Sequence, residues 1–148
     1  MHNTLYYLHP DAGTCAEWLC DDDSVSQLIE ASQVLSTCIR TTAILPSDGF
    51  YAQLLVGHPW SRWVCDSSYH AQWVFGYYSA LCLKFKRIHK REHAAERMRF
   101  KLEKLIDIFP LSPFRAPCDD AIMRDYYRHN RTFKDYRHVK RPFWLKRS

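Results

Sequence analysis

Three consecutive aspartates, Asp21, Asp22 and Asp23, stand at the head of a helical pattern, and Glu30 follows on the stripe that also carries Asp23, Gln27, Gln33 and Thr37. Glu30 or one of the aspartates is available for acid–base work if a basic segment closes over that stripe. With nothing over it, the stripe is a solvated helix face. A second set of residues combines cations with rings: Arg124, Tyr127, Arg128, Arg131, Lys134, Arg141 and Trp144, with Lys84, Lys86, Arg87, His89 and Lys90 as a further patch. Cations neutralise phosphates and release counterions while aromatic rings stack on bases, which is what single-stranded or flipped nucleic acid needs. The plainer readings are a solvated charged face and, for Trp144, a lid over the core.

Six cysteines, at 15, 20, 38, 65, 82 and 118, form no C-x-x-C pair and match no histidine spacing, so no metal site and no cofactor is expected. Cys38 and Cys82 fall inside apolar patterns and read as small buried hydrophobes. P-loop, G-x-G-x-x-G, H-E-x-x-H and G-x-S-x-G motifs are absent, which removes the common NTPase, Rossmann, zincin and hydrolase readings.

The elements that must position these groups are helices. A short apolar arm, Leu5 to Leu8, is stopped by His9-Pro10-Asp11-Ala12-Gly13. Thr14-Cys15-Ala16-Glu17 has the form of a capping box and opens a short helix. Ser24-Val25-Ser26-Gln27 offers a second box for a helix reaching about residue 41, with Val25, Leu28, Ile29, Leu35 and Ile39 as its core face. Residues 42–66 read as a connection in which His58, Trp60 and Trp63 are unusual. Ser67 or Ser68 caps a helix that is apolar all round through Leu83, as a central helix is. Beyond Lys84 the pattern fits one long helix or two joined near His89. Pro110, Pro113 and Pro117 break the chain before a last helix from Cys118-Asp119-Asp120 to about residue 133, on which Arg124, Arg128 and Arg131 recur at i, i+4 and i+7. The expected class is all-α: one domain over residues 1–148, a compact bundle of about three main helices with an extended N-terminal arm and an aromatic, basic C-terminal tail.

The chain of 148 residues carries a net charge of +5. Residues 1–83 hold two basic groups and eight acids, a net of −6; residues 84–148 hold nineteen basic groups and eight acids, a net of +11. The later part therefore attracts polyanions, while the earlier part repels them unless its acids are turned away or have a chemical role. No apolar run reaches the length of a membrane span, and the N-terminus lacks the basic and apolar regions of a secretory signal, so a cytoplasmic protein is expected.

Cys20-Asp21, Val25, Leu28-Ile29-Glu30-Ala31 and Gln33-Val34-Leu35-Ser36-Thr37 are followed by His58-Pro59, Trp63-Val64, Tyr69, Trp73, Ala80-Leu81-Cys82, His89-Lys90, Tyr126-Tyr127 and Arg141-Pro142-Phe143-Trp144. This series resembles a group of small bacteriophage proteins over nearly the whole chain. That group is in turn distantly similar, in the order of its segments, to pyrimidine-dimer DNA glycosylases of the phage endonuclease V type. The resemblance implies a compact all-α fold, a DNA glycosylase with AP-lyase activity, and the cytoplasm of an infected bacterium as its location. It further implies the α-amine of Met1 as nucleophile, with Asp21 as the carboxylate beside it. An α-amine with a pKa near 8 is partly neutral at physiological pH and can form a Schiff base with a sugar. The chain departs from the phage group at Asp22, Asp23 and Gln27, where basic residues are usual, and bulky His2 should keep Met1 in place. Those departures favour the alternative: a non-catalytic binder that captures a nucleotide-like host signal, a nucleic acid or a host protein, serving anti-defence or host takeover.

Overall fold

The computed structural model describes residues 5–44 and 58–131. Six α-helices run in the order α1 (Ala12–Glu17), α2 (Asp21–Ala43), α3 (Pro59–Cys65), α4 (Ser68–His89), α5 (Arg99–Glu103) and α6 (Asp120–Arg131), with a 3-10 turn at Ala94–Met98 ahead of α5. No strand occurs among the described residues, so the class is all-α. Only α2 and α4 are long. The sequence predicts α1, from its capping residues, and allows a separate helix beyond His89, whereas α3 lies in a segment read as a connection because seven residues are too few to display a 3.6-residue period.

Local chemistry explains most of the helix ends. Asp11, not Thr14, caps α1: its Oδ2 accepts from the Thr14 amide and the Thr14 hydroxyl, both at 2.8 Å. A carboxylate at that position satisfies two donors where the threonine would satisfy one. α2 begins at Asp21 rather than Ser24, with all three aspartates inside its first turn, where the unpaired N–H groups and the helix dipole favour negative charge. Within the segment read as a connection, His58 caps α3 and Pro59 occupies its first position, where a missing N–H costs nothing. Ser67 caps α4 through the Tyr69 amide. α4 is one helix that ends at His89, where Lys90 turns into the left-handed region at φ 58° and donates to the Lys86 carbonyl.

α2 and α4 run antiparallel as the main packed pair: Asp21 lies by Lys84 at one end, and Gln27 is hydrogen-bonded to Tyr77 further along. The N-terminal arm is laid into this pair. Leu5, Tyr7 and Leu8 are buried, the Tyr6 amide donates to Gln27 Oε1 at 2.9 Å, and Cys15 Sγ donates to the Tyr6 carbonyl at 3.0 Å. α1 crosses α4 at Gly76, where an added Cβ would stand 3.3 Å from that of Ala12. The stretch after α5 is fixed to the start of α4 by the Ser67 and Ser68 hydroxyls, which donate to the carbonyls of Ser112 and Phe109. α6 is anchored by Tyr127, wholly buried, and by Arg124, whose Nη1 donates to the Leu8 carbonyl at 2.8 Å. The buried apolar side chains from all these elements form one cluster. Among the described residues no helix is long and apolar enough to cross a membrane.

Candidate functional site

The polar stripe of α2 is partly covered: Gln27 and Thr37 are buried, and Asp23, Glu30 and Gln33 are half-buried. Gln27 is 2% exposed, and its Oε1 accepts from both the Tyr6 amide and the Tyr77 hydroxyl, the latter at 2.6 Å. With the carbonyl oxygen occupied by two donors, the amide nitrogen is left to donate, and it lies 3.4 Å from Glu30 Oε2. One buried side chain thus ties the arm, α4 and the Glu30 carboxyl together. Burial pushes the Glu30 carboxyl up to about 7, because removal from water penalises its charged form. At neutral pH both forms of the acid are populated, which is the condition for giving or taking a proton during a reaction. Tyr77 is fully buried and its phenol is held neutral by desolvation, so it acts as a donor.

Asp23, one turn before Gln27, accepts from the Tyr127 hydroxyl, which itself accepts from the Cys20 amide at 2.8 Å. Burial, with the charge of Asp23 second, keeps that phenol protonated. Asp21 sits at the rim, 3.9 Å from the Lys84 ammonium, and is separated from Glu30 by more than two helical turns. The candidate carboxylates therefore occupy two different places on α2. Cys20, Asp22 and Asp23 bring three potential ligand atoms within 4.8 Å of one another, but the acids also lie at a helix start that stabilises their charge without an ion.

The basic candidates divide by burial. Lys84 is 2% exposed, and its ammonium donates to the carbonyls of Ala16 and Leu19 at 3.1 and 2.8 Å, closing the end of α1. Tyr127 is likewise interior. Neither offers a surface to a phosphate or a base in this conformation, because their polar atoms already serve the backbone. Lys86, Arg87, His89 and Lys90 are exposed at the end of α4. Arg87 pairs with Glu17, Lys86 with Glu92, and His89 packs on the Phe85 ring at 4.3 Å. Arg124 is committed to Leu8 and Asp120, and Arg128 lies 3.7 Å from Asp125. Arg131 ends α6, but its side chain, like Met1, Lys134, Arg141 and Trp144, lies outside the described residues.

A further construction gave no motif in the sequence. Trp63 stacks on His70 with ring centroids 4.1 Å apart, and its Nε1 donates to the Arg115 carbonyl. His70 Nε2 accepts from the Arg115 amide at 2.9 Å, so Nδ1 carries the hydrogen and donates to the Trp63 carbonyl. Open cavities of about 270 and 430 Å³ flank this wall. Neither is lined by Asp21, Glu30 or the cations of α4. The pairing joins residues 45 positions apart, a distance at which no spacing rule operates.

No family model, no curated protein and no solved structure matches this chain.

Proposed function

We propose that the protein binds nucleic acid and acts on it as a DNA glycosylase with AP-lyase activity, Glu30 serving as the proton-transfer carboxylate beside an N-terminal amine nucleophile. The fold this reading entails is the endonuclease V type: a bundle dominated by a few helices, with an N-terminal arm and an aromatic, basic tail. The observation that supports it is the Gln27 bridge. Tyr6 of the arm and the Glu30 carboxyl are bonded to the same buried amide, and five residues before Tyr6 span at most about 18 Å. Chain of that length is long enough to carry an N-terminal amine to an acid poised near neutrality.

In this reading the neutral amine attacks C1′ of the damaged nucleotide, and the base leaves with the electrons of its glycosidic bond and takes up the proton that the attacking nitrogen gives up. The protonated Glu30 supplies a proton to the sugar oxygen as the ring opens to the Schiff base. Glu30 takes the place that the sequence resemblance assigns to Asp21, since Asp21 sits on the rim against Lys84. Phosphate contacts fall to the exposed Lys86, Arg87 and Lys90.

Incubation with an abasic oligonucleotide and borohydride is the test. The expected result is a covalent adduct that maps to Met1 and is lost in Glu30→Gln. Oligonucleotide binding with no adduct overturns the catalytic reading. That second outcome belongs to the non-catalytic binder of a nucleotide-like ligand, nucleic acid or host protein, a reading favoured by the acids of the first turn of α2, which would repel a phosphate approaching Asp21.

A further inference from the structure

Two thiols meet where α2 packs on α3. Cys38, 1% exposed on α2, donates to the Ser61 carbonyl at 3.2 Å. Cys65 ends α3 one turn after Ser61 and is half-buried. The Ser61 contact thus brings the Cys38 sulfur against the turn of α3 that carries Cys65, and Cys38 and Thr42, one turn further along α2, are both side-chain hydrogen-bond partners of Cys65. Two side-chain partners on one sulfur favour its thiolate. The Cys38 hydrogen bond, helped by Thr42, brings Cys65 down to about 7 against the opposing effects of burial and Asp66. The same hydrogen bond, with burial, holds Cys38 as the thiol. The pair is therefore asymmetric: a partly exposed sulfur with thiolate character, backed by a buried thiol already in contact with it. Oxidant-sensing cysteines need that combination of thiolate character, access and an adjacent resolving sulfur.

We propose that Cys65 and Cys38 form a reversible disulfide in response to peroxide, fastening α3 to the C-terminal half of α2. The Cys65 thiolate attacks one oxygen of hydrogen peroxide: an S–O bond forms, the O–O bond breaks and hydroxide leaves, so that the sulfur is oxidised to the sulfenic acid and the peroxide is reduced. Cys38 sulfur then attacks Cys65 sulfur; the S–S bond forms, the S–O bond breaks, and the departing hydroxide takes the Cys38 proton as water. Two thiols and one peroxide give one disulfide and two waters, and a dithiol reductant reverses the change. The other interior thiols are less suited. Burial pushes Cys15 and Cys82 each up to about 12, where thiolate is scarce.

Peptide mapping of the full chain, oxidised with equimolar hydrogen peroxide and then denatured in N-ethylmaleimide, tests this. The expected product is a Cys38–Cys65 cross-linked peptide, lighter than the two thiol peptides by about 2 Da and split by dithiothreitol. Cys65→Ser should abolish it, and in Cys38→Ala a several-fold excess of peroxide should carry Cys65 on to sulfinic acid. Recovery of all six cysteines as maleimide adducts, a cross-link between other cysteines, or sulfinic acid at Cys65 of the unsubstituted chain overturns the proposal. The decisive reading is made on the unsubstituted protein, so a variant that fails to fold does not remove the test.

Discussion

Burial sets the ionisation of Glu30, and the sign of the consequence follows directly. An ordinary glutamate ionises near 4.5 in the unfolded chain, whereas in the folded protein it does so at about 7. Below pH 4.5 the group is protonated in both states; as pH rises through this window the unfolded state alone gives up the proton, so stability falls. Glu30→Gln keeps an acceptor for Gln27 and removes the titration. Denaturant unfolding should show it equal to the parent at pH 4 and more stable at pH 8 by about 1–3 kcal/mol. An unchanged difference between the two pH values would contradict the buried-acid description. Lys84 is the opposite case, a buried cation whose pKa is lowered by desolvation and partly restored by Asp21 and Glu17. Lys84→Met leaves the carbonyls of Ala16 and Leu19 without their donor and should cost about 2–4 kcal/mol in denaturant unfolding while leaving oligonucleotide affinity unchanged. A loss of affinity with intact stability would return Lys84 to the binding surface.

The crossing of α1 over α4 depends on one missing side chain. Gly76 lies in the middle of a long helix, where glycine costs about 1 kcal/mol relative to alanine. Its retention is explained by close approach, since an added Cβ would press on Ala12 at 3.3 Å. Gly76→Val should destabilise by about 1–3 kcal/mol through overpacking, and in thermal unfolding the addition of Ala12→Gly to that variant should recover part of the loss. The same scale explains where sequence patterning fell short on α2. Leu28, Leu35 and Ile39 are buried as their period requires, yet Gln27, Ser36 and Thr37 are buried as well. A periodicity argument assigns one face to the core. α2 is instead covered by the arm, α3 and α4, and polar positions are accepted inside where they find partners, Gln27 with Tyr6 and Tyr77 and Ser36 with the Met98 sulfur.

Charge is the property of the molecule as a whole, with −6 over residues 1–83 and +11 over 84–148. Part of that contrast is neutralised internally, since Glu17 pairs with Arg87 and Asp21 lies by Lys84 across the two parts. Lys86, paired with Glu92 at 3.2 Å, and Lys90 stand exposed at the end of α4. Replacing both with Gln should weaken single-stranded DNA binding and lower the slope of log affinity against log salt by about 1.4, two cations at about 0.7 each. An unchanged slope, measured by fluorescence anisotropy across a salt series, would place the phosphate contacts elsewhere. Helical periodicity, capping residues and the charge division are local or additive properties, so the amino-acid sequence by itself determined the all-α class, the long helices and the polarity of the chain. Only tertiary packing decided that Gln27 joins the arm to Glu30, that Lys84 and Tyr127 serve the interior, and that Cys38 meets Cys65. Each of those outcomes depends on burial or on partners distant in sequence, and neither quantity is expressed in the spacing of residues along one helix.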